Sequence, residues 1–258
     1  MATATPLYLR QVALAARDLD KTVDHICAVF DTDVRHRDTS IAEFGLHNAV
    51  IGLGAQFMEV VSPLNDAASA SRFIERRGEG LYALLLQCED DEHHRARIDE
   101  LGIRRLMELE HGDFRCFQLH PSDARTSVLL EIDRQPDPPH GRYYPGGNTA
   151  PPPGASKAGR LTGVTIPGPD PGQLAARWAQ LLGRPLASDA ASVDLDNASL
   201  RFPAGEPAGA TVDVVVPDPD RATEVAAARG LEVGPGRVTI GGLHFSLTSS
   251  ESSTRTNH

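Results

Sequence analysis

The sequence predicts an α+β fold in which four βαβββ modules follow one another in tandem as two pairs, forming two domains. Three observations predict it. Residues 7–61 read as β-α-β-β-β, and residues 81–132 read the same way. A shift of 72 residues takes Leu9 to Leu81, Leu14 to Leu86, Asp18 to Asp90, Ile26 to Ile98 and Glu59 to Glu131, which marks an internal duplication. After a proline-rich break, shorter β-α-β-β units resume at Leu161 and Thr211.

The elements follow from local pattern. Leu7 to Ala16 is an apolar run that reads as a strand. Asp18 is placed as an N-cap, followed by a helix to Phe30 with Val23, Ile26, Val29 and Phe30 at helical spacing. Strands are expected at Val34 to Arg37, Glu43 to Leu53 and Phe57 to Val61, the last stopped by Pro63. Ala70 to Arg77 reads as a connecting helix. The second module has a strand at Leu81 to Cys88, a helix from Asp90 to Leu101 stopped by Gly102, and strands at Arg104 to Leu109, Phe114 to Leu119 and Ser127 to Ile132.

Residues 136–159 contain Pro-Asp-Pro-Pro, Tyr-Pro-Gly-Gly and Pro-Pro-Pro-Gly, and read as a semi-rigid linker. The alternative is that Tyr143 and Tyr144 fold back over a cleft. Beyond it, Leu161 to Ile166 is a strand and a helix opens at Asp170-Pro171 and ends at Gly183. Short strands follow at Ser192 to Leu195 and Ser199 to Phe202. Then come a strand at Thr211 to Val216, a helix from Asp218 to Arg229, and a hairpin turning at Gly241-Gly242. The expected division is a first domain over 1–135, the linker, a second domain over 160–248, and a disordered Ser/Thr-rich tail over 249–258.

Bulk properties narrow the function. The chain has 258 residues, 40% hydrophobic, with a formal net charge of −10. No basic stripe appears, so no nucleic-acid partner is expected. No apolar run reaches the roughly 18 residues of a membrane helix, and the N-terminus has no signal-peptide pattern. Cys27, Cys88 and Cys116 are scattered and odd in number, which reads as reduced core thiols in a cytoplasmic protein, with a bacterial cast to the composition. The partner expected is a small-molecule substrate, and the chain is a monomer or a homodimer.

The chemistry is carried by two carboxylates. Glu131 stands between Leu130 and Ile132, and Glu59 stands in Gln-Phe-Met-Glu59-Val-Val. A carboxylate in an apolar strand is costly unless it is paired, protonated or bound to a cation. The duplication makes Glu59 and Glu131 equivalent. His47 and His120 are candidates for acid/base work, against the plainer reading of structural histidines. His93 and His94 fall on a helix read as exposed, and are expected to be solvated.

These segments resemble the vicinal oxygen chelate superfamily, which includes glyoxalases, bleomycin-resistance proteins and extradiol dioxygenases. The resemblance rests on Leu9-Arg-Gln11-Val-Ala-Leu-Ala-Ala-Arg-Asp18-Leu-Asp20 for the opening strand and cap, and on Gly52-Leu-Gly54-Ala-Gln-Phe-Met-Glu59-Val-Val-Ser-Pro63 for the fourth strand. The stretch Leu119-His120-Pro121 through Val128-Leu-Leu-Glu131-Ile is similar to methylmalonyl-CoA epimerase-like and glyoxalase-like members. The resemblance covers residues 7–133 well and 160–248 only by module order. It implies curved mixed sheets around a cleft, with metal ligands on the first and fourth strand of each module. Those places are Gln11, Glu59, Ala83 and Glu131. The implied ligands are therefore Gln11, Glu59 and Glu131, a hard oxygen set suited to a divalent ion such as Mg or Mn. Ala83 leaves the set incomplete. In the second domain the matching places are Gly163 and Arg201, so no metal site is expected there.

The implied activity is that of an isomerase, epimerase or glyoxalase-type lyase working through an enolate on a small oxygenated or acyl-thioester substrate. Glu131, Glu59 and His47 are the candidate catalytic residues. Extradiol cleavage is disfavoured, because Gln11 and Ala83 stand where it needs histidines. Two alternatives stay open: a non-catalytic protein that sequesters small molecules, and a metal-free enzyme in which Glu59 and Glu131 form an acid/base pair.

Overall fold

The computed structural model describes residues 5–123, 125, 128–136, 143–147, 159–206 and 209–249. The first module comprises β1 (Tyr8–Ala15), α1 (Leu19–Phe30), β2 (Val34–His36), β3 (Leu46–Leu53) and β4 (Gln56–Pro63). The helix α2 (Ser69–Arg77) joins it to β5 (Gly80–Cys88), α3 (Glu92–Glu100), β6 (Arg105–His111), β7 (Phe114–Leu119) and β8 (Leu129–Arg134). The later units are β9 (Arg160–Thr165), α4 (Pro171–Leu182), β10 (Ser192–Asp194) and β11 (Ser199–Arg201), then β12 (Thr211–Val216), α5 (Pro219–Ala228), β13 (Glu232–Gly234), β14 (Arg237–Ile240) and β15 (Leu243–Ser249). The α+β fold of repeated modules is therefore present, with β13 a strand that the sequence pattern did not mark, and with a 3-10 turn over Ser40–Phe44, closed by Gly45 at φ 72, where the third strand was expected to begin at Glu43. Among the described residues no helix is long and apolar enough to cross a membrane.

Helix starts follow their caps. The Asp18 side chain accepts from the Lys21 amide at 3.0 Å, and Asp170 accepts from Gln173 at 3.0 Å ahead of Pro171. Gly183 ends α4 in the left-handed region.

The strands form two mixed sheets. The first has the order β2-β3-β4-β1-β5-β8-β7-β6, the second β10-β11-β9-β12-β15-β14-β13. The duplication is visible in register. Gln11 lies opposite Phe57 in the parallel β1/β4 pair, and Ala83 lies opposite Leu129 in the parallel β5/β8 pair, 72 residues on at both places. In the second sheet, Gly163 lies opposite Ser199 and Arg201 opposite Thr165. Those are the places of Gln11 and Glu59.

One continuous apolar core serves both sheets. It includes Leu9, Leu14, Ile26, Ile51, Met58, Leu84, Phe117 and Ile132 from the first half and Trp178, Phe202, Val212 and Phe245 from the second. Phe30 meets Phe245 edge to face, with centroids 5.3 Å apart. Polar pins cross the seam. The Gln56 amide donates to the carbonyls of Leu9 and Leu161, and its oxygen accepts from the Leu161 N–H at 2.8 Å. Asp196 accepts from the Leu7 N–H at 2.7 Å, and Asn197 from the Leu9 N–H at 2.8 Å.

Two expectations need correction. His94 is 1% exposed, not solvated: α3 packs against α4 of the second half, which covers it. The 136–159 segment is more than a spacer. Tyr143 is fully buried over the first sheet, and the Gln135 amide holds the Tyr144 backbone, accepting from its N–H and donating to its carbonyl at 2.9 Å each. The rest of that segment and residues 250–258 of the expected tail lie outside the described residues.

Candidate active site

The face of the first sheet away from the main core carries a polar stripe between two apolar patches. One patch joins Ala13, Ala15, Val61, Tyr82, Ala83 and Leu85 to Ala70 and Ile74 of α2. The other joins Val50, Phe57 and Tyr143. Strand alternation selects what faces the stripe. In β1 the register slips between Leu9 and Gln11, so Leu9 and Val12 both reach the main core with Arg10 and Gln11 between them. Arg10 donates to Gln87 Oε1 at 2.6 Å.

Glu59 is 9% exposed and held on both oxygens. Asn48 Nδ2 donates to Oε1 at 2.5 Å, and Gln11 Nε2 to Oε2 at 2.7 Å. Burial raises its pKa to about 7, against the pull of the two amide donors and with a further push from Glu131. Glu131 is 7% exposed and accepts from Gln118 Nε2 at 2.6 Å across the β7/β8 ladder. Asp133, two residues further on the same face, is fully buried and accepts from the Tyr143 hydroxyl. Burial first, then the neighbouring Glu131 carboxylate, push Asp133 well above the usual carboxylate range. The Tyr143 hydroxyl is raised by burial, then by Asp133 and Glu131. Cys116 lies opposite Asp133 on β7, and its thiol is raised by burial and then by the same carboxylates.

The sequence placed Gln11, Glu59 and Glu131 on this stripe, and they stand on it. Ala83 is also on this face and brings no donor. His47 is not brought to the carboxylates. It alternates with Asn48 along β3, and Asn48 is the residue that faces Glu59, so His47 projects from the opposite face. Three residues of the site were not foreseen, and a fourth, Tyr143, was foreseen only as the fold-back alternative to a linker. Asp133 is at i+2 from Glu131, and period-two reading along that strand would have found it; Asn48 and Gln118 lie on the adjoining strands and needed the cross-strand register. Tyr143 comes from the proline-rich segment, where no periodicity exists to assign it.

Two sheets of duplicated βαβββ units, with paired acidic positions at matching register, define a vicinal oxygen chelate fold. A family model described as a glyoxalase-like domain matches residues 12–182, and the chain belongs to that family. A comparison with curated proteins gives no match. Among solved structures the chain is similar to methylmalonyl-CoA epimerase of Streptomyces coelicolor in complex with 2-nitronate-propionyl-CoA, at 22% identity and a TM-score of 0.45, covering 52% of this chain and 99% of that one. It is similar to methylmalonyl-CoA epimerase from Mycobacterium tuberculosis at 20% identity and a TM-score of 0.46, covering 55% and 97%. It is also similar to a hypothetical protein from Bacillus halodurans C-125 at 19% identity and a TM-score of 0.44, covering 51% and 96%.

The donors present fit a divalent cation. Gln11 Oε1 is buried and has no hydrogen-bond partner. Glu59, Glu131 and Asp133 bury three carboxyl groups on one face, an arrangement that calls for protons or a cation to offset the charge. One ligand atom each of Cys116, Glu131 and Asp133 lies within 4.8 Å of the others.

Proposed function

We propose that this chain is an enzyme that moves a proton at a carbon next to a carbonyl, as an epimerase, isomerase or glyoxalase-type lyase acting on a small oxygenated or acyl-thioester substrate. The observation that carries the reading is the pair of register-equivalent glutamates, each buried on the sheet face and held by side-chain amides. Gln11, Glu59 and Glu131 would hold a divalent cation, whose charge stabilises an enolate on two adjacent substrate oxygens.

The chain's own groups divide the remaining work. Gln118 fixes Glu131 through Oε2, which leaves Oε1 to take the proton from carbon. The C–H electron pair passes to the carbonyl oxygen, giving the enolate. Glu59, fixed by Asn48 and Gln11, stands on the other side of the cleft floor and returns a proton to carbon. Tyr143 and Phe57, with ring centroids 5.9 Å apart, close one end and keep water from the carboxyl groups. His47 has no part in this scheme, because it lies on the opposite face of β3.

Metal-free protein titrated with Mn or Mg should bind about one ion per chain. Incubation in deuterated water with a panel of acyl-thioesters and hydroxy or keto acids should incorporate deuterium at the carbon next to the carbonyl. Glu131→Gln should slow incorporation by roughly a hundredfold or more. An ion-loaded protein that exchanges no panel member would sink the enzymatic reading in favour of sequestration.

A further inference from the structure

Ala83 leaves the expected ligand set one donor short, and its side chain is buried in the apolar patch with Ala13, Leu85 and α2. Across the sheet at the level of Gln11, the register runs Gln11, Leu85, Glu131, Gln118. Leu85 faces the same side as Gln11 and Glu131 and stands between them. On the other side of Glu131 there is no such separation. Asp133 is at i+2 on the same strand, and Cys116 is directly opposite Asp133 on β7. All three are buried, with one ligand atom from each within 4.8 Å of the others.

The Asp133 carboxyl is divided in its partners. The Tyr143 hydroxyl donates to Oδ2, whereas the buried Oδ1 has no donor besides a proton shared between the Asp133 and Glu131 carboxyls, and none once both are ionised. A buried carboxylate oxygen without a donor is costly. A cation between Asp133 and Glu131 removes that cost and the repulsion between the two groups. Tyr143 and Gln118 then act as outer partners that orient the ligating carboxylates.

We propose that the divalent cation of this site is held by Glu131, Asp133 and Cys116 at the β7–β8 side of the sheet, on the far side of Glu131 from the gap at Ala83. The proposal rests on the reading of the cleft as a cation-dependent site, and changes which residues bind the ion. It also changes the ion. A thiolate beside two carboxylates favours borderline ions such as Zn, Co or Fe(II) over Mg and Ca. Binding displaces the thiol proton to solvent and forms the sulfur–metal bond in its place.

The test uses the full chain, stripped of metal and titrated with cobalt(II), followed by absorbance and calorimetry. The expected result is one ion per chain with a near-ultraviolet thiolate-to-cobalt charge-transfer band. Cys116→Ser should remove the band, Asp133→Asn should weaken cobalt binding at least tenfold, and Gln11→Ala should change it only a few-fold. X-ray absorption at the cobalt edge of the unsubstituted chain gives a second readout that needs no variant, and a sulfur neighbour is expected. One bound ion without a sulfur neighbour, whose binding is abolished by Gln11→Ala, would overturn this assignment and leave the Gln11, Glu59 and Glu131 set standing. No binding of cobalt, zinc or manganese would overturn both.

Discussion

At the scale of single residues, the site depends on side chains that differ from their neighbours only in which way they point. His47 and Asn48 are adjacent, and composition alone favoured the histidine as the reactive group. Alternation along β3 gives the place to Asn48, whose amide donates to Glu59 while its oxygen accepts from the Asp38 N–H at 2.8 Å. Replacing Asn48 by Ala strips both bonds from a buried network and should cost about 1–3 kcal/mol in urea denaturation. A loss below about 0.5 kcal/mol would mean that Asn48 does not hold Glu59. His94 makes a second residue-scale case. Burial, followed by the positive charge of His93, Arg97 and Arg184, holds its pKa down at about 4. The unfolded chain therefore binds this proton more readily than the folded one, and stability falls as the pH drops below about 6.5. Between about pH 7.5 and 5 this group should remove about 2 kcal/mol, and the slope should flatten below about pH 4. A His94→Asn variant should show a correspondingly shallower pH dependence of the denaturation midpoint. An unchanged slope would assign the acid sensitivity to other groups.

At the scale of elements, most of the fold was legible. The 72-residue repeat, the Asp caps and the glycine stops are local signals, and the strands and helices appear where those signals placed them, apart from the 3-10 turn at Ser40–Phe44 and the unmarked β13. What could not be read was which faces are covered. The helix α3 looks solvent-facing by its own residues, because its cover is α4, some eighty residues further along the chain. The fold-back of Tyr143 is equally non-local, since its anchors are Gln135, Asp133 and Phe57. The glycines of the β14–β15 turn illustrate the same point. Gly241-Gly242 was readable as a hairpin turn, but not as a contact. Gly242 has φ +71, and a Cβ there would sit 2.1 Å from the Glu79 carbonyl oxygen of the other half. Gly242→Ala should lower stability by at least ~2 kcal/mol, a Tm fall of roughly 5 °C or more. Gly230→Ala, at φ +72 with open space around it, should cost only about 1 kcal/mol. Equal effects at the two positions would refute the close approach.

At the scale of the whole molecule, the two sheets share one apolar core, and cooperative unfolding of both halves is the expected outcome. Trp178, the only tryptophan in the chain, is buried in the second half and reports on that half by fluorescence. Its unfolding transition should coincide with that of the backbone signal from both halves. Gln56→Ala removes three hydrogen bonds, two of them across the seam to Leu161, and should shift both transitions together by about 2–4 kcal/mol. Separation of the two curves in the unsubstituted chain would show that the halves melt independently.

The second sheet keeps the register of the first but not its chemistry. Arg201 stands at the place of Glu59 and is paired with Asp213, and Gly163 stands at the place of Gln11 because a side chain there would run into that ion pair. A guanidinium and a carboxylate cancel, so this copy of the fold is self-neutralised. The first copy gathers three buried carboxyl groups with no cationic partner of that kind, so protons are held there instead. One copy of a duplicated scaffold thus settles its charge internally, while the other keeps a set of exchangeable protons that a cation can displace.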